Sequence, residues 1–236
     1  MRLPGLAGTD VSAIVGWADE LIVLPERTWS AFRVPLLPEH VDLGALVGSM
    51  KKKSRQQLRQ SLRAFADRGP LEVREASTLS EARDMFDRLE VVHTRRWRAA
   101  GRGGSFANPE WGRFHRDVID TAFERGQVQL LELSCGGRPF GYLYGHLYGD
   151  TVYMHQTGFE LEDDNRLRAG YVGHLLGMQH NALRGVRTYD FLPDEPDSYK
   201  RFFAEPGEPL YWLTLQRPRV RLLLESAVRR RLDRPR

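Results

Sequence analysis

Gln127-Val-Gln-Leu-Leu-Glu-Leu133, Pro139-Phe-Gly-Tyr-Leu-Tyr-Gly-His-Leu-Tyr148 and Thr151-Val-Tyr-Met-His-Gln-Thr157 follow one another with only Gly136-Gly137 and Gly149-Asp150 as turns. This spacing predicts three antiparallel strands in a meander. A polar loop then reaches Ala169-Gly-Tyr-Val-Gly173, which opens a predicted helix running to about Arg184, and Arg187-Thr-Tyr-Asp-Phe-Leu192 reads as a further strand. A helix that starts just after a strand points free N–H groups and a positive dipole end at whatever lies before it, a natural place for phosphate. Glycine at that start lets a ligand approach the backbone closely.

Working outward, Ser54–Phe65 shows two stripes at helical spacing. Leu58, Leu62 and Phe65 form one, and Arg55, Arg59 and Arg63 the other. Thr78-Leu-Ser-Glu81 is a capping box for a helix with Ala82, Met85, Phe86, Leu89 and Val92 on its apolar face and Gly101 at its end. Asn108-Pro109 starts another helix, with Trp111, Phe114, Val118 and Ala122 as the expected buried face and Gly126 as its stop. Trp17–Leu24 is expected to contain a strand, His40–Met50 a short helix, Leu210–Gln216 the last strand, and Arg219–Leu232 a basic amphipathic helix. The domain organisation expected is a partial N-terminal segment over 1–50, a core domain over 51–216 and a basic helix over 217–236.

At 236 residues with 41% hydrophobic residues, the chain has ample length for a globular core. Net charge is +4, with arginine concentrated at 51–68 and 217–236. Such patches suit partners bearing phosphates, and they also occur as solvated faces. The single cysteine, Cys135, excludes an internal disulfide and a thiolate zinc cluster. Seven histidines lack metal-ligand spacing; His174 and His180, six apart, share a helix face poorly, and no metal is expected. No apolar run is long enough to span a bilayer and no secretory leader pattern is present, so a cytoplasmic location is expected.

Several pieces together resemble the GNAT-fold acyltransferases, in particular the cellulose-biosynthesis-type acetyltransferase branch related to the Fem peptidyltransferases. They are Lys-Lys-Lys-Ser-Arg-Gln-Gln-Leu-Arg-Gln-Ser-Leu-Arg at 51–63, His-Thr-Arg-Arg-Trp at 93–97, Gly-Gly-Ser-Phe at 103–106 and Phe-His at 114–115. Ala-Gly-Tyr-Val-Gly-His-Leu-Leu at 169–176, Tyr-Asp-Phe-Leu at 189–192 and Tyr-Lys-Arg-Phe at 199–202 complete the set, which covers roughly residues 50–205. The resemblance implies an α+β, GNAT-like fold: a mixed, mostly antiparallel sheet flanked by helices. It also implies a longer N-terminal half, of which 1–50 is a part, so the chain is expected to act as a single lobe, as a homodimer or beside another chain.

The activity implied is transfer of an acetyl or acyl group from acetyl-CoA or another acyl-CoA to an amine on a small molecule or glycan, such as an amino sugar or polysaccharide precursor. Fem-like transfer from a charged tRNA is the alternative enzyme. A non-catalytic lobe that binds an anionic partner is the third reading. In the resembled fold the backbone at the helix opening holds the coenzyme pyrophosphate, which points to Arg168, Ala169, Gly170, Tyr171, Val172 and Gly173. This chain departs from the usual Gln/Arg-x-x-Gly-x-Gly/Ala pattern at Leu167 and Val172. Packing of helix on sheet is the plainer role for Gly170 and Gly173.

Acyl transfer to an amine needs a base, a stabilised carbonyl oxygen and a proton for the leaving thiolate. His155, sharing a strand face with Tyr153 and Thr157, is a candidate base or a satisfied core histidine. Asp190, inside an apolar strand, must be paired or line a cleft, and the cleft is the expectation. The resemblance points to Asp190 and Asp194. Tyr199 is a candidate acid for the thiolate and Lys200 a coenzyme contact; their plainer roles are a core cap and a solvated charge. Glu132 is a weaker base, expected to face solvent. Trp97, Phe106 and Trp111 are candidates to line an acceptor groove, and the basic helix at 51–63 to meet coenzyme phosphates, an acyl carrier protein, tRNA or an anionic glycan.

Overall fold

A computed structural model of the chain describes residues 2–17 and 22–216. In chain order the elements are β1 (Arg2–Leu6), α1 (Gly8–Trp17), β2 (Ile22–Ser30), β3 (Arg33–Pro35), α2 (Leu43–Ser49), α3 (Lys52–Ala66) and β4 (Leu71–Glu75). Then come α4 (Leu79–Ala99), α5 (Pro109–Ala122), β5 (Val128–Cys135), β6 (Arg138–Tyr148), β7 (Thr151–Phe159), α6 (Ala169–Leu183), β8 (Thr188–Asp190) and β9 (Pro209–Gln216). Short 3-10 turns stand at Pro38–Val41, Ser105–Ala107 and Tyr199–Phe202. The fold is α+β, as expected.

The described residues divide into two compact units, 33–192 with 202–204, and 2–17 with 22–32, 193–201 and 205–216. This differs from the expected boundaries at 50/51 and 216/217. In the second unit β9 lies between β1 and β2 in an antiparallel sheet. Strand pairing between distant segments, which no local pattern encodes, joins the last described strand to the first two. Trp17 ends α1, and the strand expected within 17–24 is the start of β2, which begins at Ile22. The expected helix at 219–232 lies outside the described residues.

The larger unit holds a six-stranded sheet, β3-β8-β7-β6-β5-β4. The β5–β6 turn has both Gly136 and Gly137 at positive φ (56° and 74°), the conformation of a tight hairpin whose twist matches the strands. All neighbours are antiparallel except β7 and β8, which run parallel. One face carries α4 and α5. Met85, Phe86 and Leu89 of α4, with Ile119 of α5, pack on Leu130, Tyr142 and Tyr144 in a buried cluster. On the other face α6 comes so close that a Cβ on Gly173 would sit 2.9 Å from Leu133 Cδ1, and one on Gly177 2.6 Å from Leu143 Cδ1.

Two caps refine the sequence reading. Thr78 Oγ1 accepts from Glu81 N at 3.2 Å, as a capping box requires, but Glu81 Oε2 accepts from the N–H of Ser77 at 2.8 Å, one residue outside the expected partner. On α5, Asn108 Oδ1 accepts from Glu110 N. Of its expected buried face, Trp111, Val118 and Ala122 pack on the α4 cluster, but Phe114 is 60% exposed, and His115 and Ile119 are buried instead. Among the described residues no helix is long and apolar enough to cross a membrane.

Candidate active site

The parallel pair β7/β8 is short. Thr151, Val152 and Tyr153 pair with Thr188, Tyr189 and Asp190, and β7 then continues through Phe159 without β8 beside it. The chain turns from β7 through 160–168 into α6. Arg168 is the N-cap residue of α6 but supplies no side-chain cap; its guanidinium instead donates to Gln57 Oε1 at 2.6 Å. The first N–H groups to find helical acceptors are those of Tyr171 and Val172, both bonded to Arg168 O. Ala169 and Gly170 therefore present the leading N–H groups of the helix.

A Cβ on Gly170 would make only ordinary contact with Phe159, at 3.6 Å, so packing does not require glycine there, whereas Gly173 is required by Phe159 and Leu133. Val172 is fully buried, pointing away from solvent, so its departure from the family pattern leaves the helix opening unobstructed. The Tyr171 ring stacks on Phe202 at 3.8 Å.

His155 sits at a β-bulge. Tyr144 pairs with Gln156 and Gly145 with Met154, leaving His155 as the extra residue of β7. A bulge re-aims side chains, and here it turns His155 and Gln156 to one face: His155 bonds His115 of α5, and Gln156 Nε2 donates to Ser105 Oγ at 2.9 Å. Thr157 then pairs with Leu143, whose side chain packs on α6. The expectation that Thr157 shares the face of His155 fails for that reason.

His155 Nε2 and His115 Nε2 are 3.0 Å apart, and His115 Nδ1 is 3.0 Å from Tyr144 Oη. A bond between two Nε2 atoms carries one proton, so one ring donates and the other accepts. When Tyr144 O–H donates to His115 Nδ1, His115 Nε2–H donates to His155 and the second proton of the pair rests on His155 Nδ1. Trp111 stacks on His155 at 5.7 Å with rings within 9° of parallel. His146 lies 5.4 Å from His155. Burial, reinforced by the neighbouring His146, pushes the His115 pKa down to about 4; burial and both neighbouring histidines push His155 down to about 3. Both rings are neutral at pH 7. Their signal in the sequence was faint: His115 lies four residues after Trp111 and four before Ile119, on the same helical face.

The acidic candidates have partners of their own. Asp190 is buried and paired: Arg33 Nε donates to it at 2.8 Å, and Leu192 N donates at 2.7 Å. The expected cleft role gives way to pairing, and this turn holds Leu192 at a positive φ of 62°. Asp194, Tyr199 and Lys200 belong to the other unit. Lys200 is buried against Asp194, 3.2 Å away, not solvated. Burial alone would raise the Asp194 carboxyl, but bonds from Ser198, Glu195 N–H and Lys200 hold it below its ordinary value. Tyr199 is 52% exposed.

Glu132 is not solvent-facing; it takes Arg74 and Arg88 as partners. Phe106 and Trp111 pack on the α4 cluster, and Trp97 on His93. Lys52, Arg55, Arg59 and Arg63 of α3, with Arg166, line an open groove of about 690 Å³ in which Asp67 is the one carboxylate. Among the described residues no three His, Cys, Asp or Glu side chains are arranged to hold a metal.

A parallel strand pair that parts ahead of an uncapped helix, within a sheet backed by helices on both faces, is the architecture of the GNAT fold. The family model described as an acetyltransferase (GNAT) domain matches residues 52–201, and the chain belongs to that family. Three solved structures share the fold at low identity. The C-terminal domain of a putative lysylphosphatidylglycerol synthetase from Agrobacterium fabrum is 13% identical, with TM-score 0.57 over 96% of this chain and 71% of that one. FemX is 11% identical, with TM-score 0.58 over 89% and 71%. L-PGS from Bacillus licheniformis is 9% identical, with TM-score 0.59 over 98% and 72%. Among curated proteins, the ribonucleoside-diphosphate reductase large subunit of Psittacid herpesvirus 1 is 36% identical over 97 residues, 41% of this chain and 10% of that protein. This chain thus spans about a tenth of that relative, which lends it no activity.

Proposed function

We propose that this chain transfers an acyl group from a coenzyme A thioester to a primary amine, by direct attack within a ternary complex. The observation that carries the reading is the parting of β7 from β8 after Tyr153, with a bulged, neutral histidine on β7 and the uncapped start of α6 following it. The N–H groups of Ala169 and Gly170 take the donor's pyrophosphate, with Arg168, Tyr171, Val172 and Gly173 shaping the opening. The amine nitrogen attacks the thioester carbon, the C–S bond breaks, and the thiolate leaves. His155 is the base. With so low a pKa it takes a proton only after attack has made the N–H acidic. The departing thiolate takes its proton from solvent. Asp190, Asp194 and Lys200 act through their ion pairs, holding the backbone around them, because no paired carboxylate is free to serve as base.

The acceptor class proposed is an amino sugar or polysaccharide precursor, which rests on the resemblance to the cellulose-biosynthesis branch. A second reading has its own support in the arginine-lined groove of α3 and in the FemX and L-PGS folds: Fem-like transfer from a charged tRNA. Calorimetric titration with acetyl-CoA, longer acyl-CoAs and free CoA separates them. Micromolar binding that disappears in a folded Gly170→Trp variant is expected. Unchanged binding in that variant removes the α6 assignment, and no binding to any thioester moves the reading to tRNA.

A further inference from the structure

His93 of α4 is 3% exposed. Its Nδ1 lies 3.1 Å from Thr157 O, on β7 just beyond the bulge. A carbonyl oxygen only accepts, so Nδ1 carries the hydrogen, and in the neutral ring Nε2 is left as a bare lone pair. Nε2 is buried and has no hydrogen-bond partner among the described residues. Buried polar atoms are nearly always satisfied, and one that is not calls for a reason. Burial lowers the pKa of this ring, with Arg96 adding to the effect against the Thr157 bond, so the lone pair stays unprotonated at neutral pH.

The surroundings are aromatic and closely packed. Trp97 and Phe106 flank the ring at 5.7 and 5.2 Å, and aromatic faces favour a cationic or polarised N–H group. Gly104 covers the lone pair so closely that a Cβ there would lie 2.7 Å from Nε2. Gly104 and Gly101 both hold positive φ (66° and 69°), with Gly103 between them. The segment is held on one side by Gly101 N–H on Arg98 O and Arg102 N–H on Trp97 O, and on the other by Gly104 O, which accepts from Ala107 N–H at a long 3.3 Å, and by Ser105 Oγ, which accepts from Gln156, leaving Gly103 between them. A glycine loop anchored at the ends can lift in the middle at small steric cost. The contrast with His155 is informative. The Nε2 of His155 is already engaged by His115, whereas that of His93 has its tautomer fixed by Thr157 and its lone pair unspent.

We infer that His93 Nε2 is the anchor for the acceptor's amine, accepting one N–H when the Gly101–Gly104 loop lifts, and that this loop closes over the bound amine. His93 is then a substrate-binding residue distinct from the base. The inference deepens the acyltransfer reading and rests on it for the identity of the acceptor.

The test is nuclear magnetic resonance of the full chain labelled with 15N, with the His93 ring assigned through bonds from its own backbone, so no variant is required. The free protein should show His93 protonated at Nδ1 and bare at Nε2. Ethylamine, and separately glucosamine, should move the Nε2 resonance saturably toward that of a hydrogen-bonded nitrogen, with Gly103 and Gly104 amides shifting alongside. A His93 found protonated at Nε2, or an Nε2 signal indifferent to both amines, overturns the inference. Acetyl-CoA is titrated into the same sample. Loss of its expected effect on the Ala169 and Gly170 amides counts against the acyl-CoA reading alone, because the amine response is read at a different place.

Discussion

The hydrogen bond between two imidazoles sets what His155 can do. Because His115 occupies its Nε2, proton uptake must be shared along the pair, and both rings resist charge. Their folded pKa values of about 3 and about 4 lie below the roughly 6.5 of the unfolded chain. Between these limits the unfolded chain binds more protons, so stability rises with pH across the window. It is fully present above about pH 6.5 and lost as pH falls toward 4 and then 3. The melting temperature should therefore drop on acidification from pH 7 to 4.5. The slope should be shallower in a His115→Phe/His155→Phe variant, whatever its melting temperature at pH 7. An equal slope would remove the buried pair from the explanation. For catalysis, His155→Ala should lower kcat by about 10²- to 10⁴-fold and leave the affinity for acetyl-CoA within about twofold. Equal losses in both would make the ring structural. His155 was readable as a candidate from its place on a strand, but His115 was not. Phe114 is the more apolar of two adjacent residues, and only the packing of Trp111 and Ile119 reveals that the histidine turns inward.

Among the elements, α6 separates two roles that one glycine-rich opening combines. Gly173→Ala places a methyl against Phe159 and Leu133 in a closed interface and should cost about 1–3 kcal/mol by overpacking. Gly170→Ala meets Phe159 only at contact distance and should be neutral or stabilising by up to about 1 kcal/mol, since alanine suits a helix better. Urea unfolding of the two variants checks this; similar losses at both positions would show that the whole opening is a packing device. The meander, α4 and α6 were legible because their signals are local: glycine turns, apolar periodicity, a cap. The bulge at His155 was not. It is defined by which residue of β6 each residue of β7 faces, a register the sequence of β7 alone does not contain. The face assigned to Thr157 failed with it.

Over the whole molecule, the same limit explains the unit boundaries. β9 was recognisable as a strand, but its partners are β1 and β2, and long-range pairing leaves no periodic trace. Charge, by contrast, was legible as a stripe and has become a groove, with Arg59 and Arg63 facing Arg166 across it. That groove decides between the two enzyme readings. Ser61 Oγ donates to Arg166 O, and Arg168 reaches Gln57, so α3 is tied to the loop that feeds the α6 opening. A phosphate-bearing donor seated on Ala169 and Gly170 has cationic side chains within the same unit to receive its remaining phosphate. Arg59→Glu/Arg63→Glu should weaken acetyl-CoA binding by about 10- to 100-fold at low salt, the scale of one or two charge-assisted hydrogen bonds. The deficit should shrink as salt screens exposed charges. Dephospho-CoA, which lacks the 3′-phosphate, should respond less to the same variant. If acetyl-CoA affinity is instead unchanged while tRNA binding falls and loses salt dependence, the groove follows a polyanion backbone, and the acyl donor of this chain arrives on RNA.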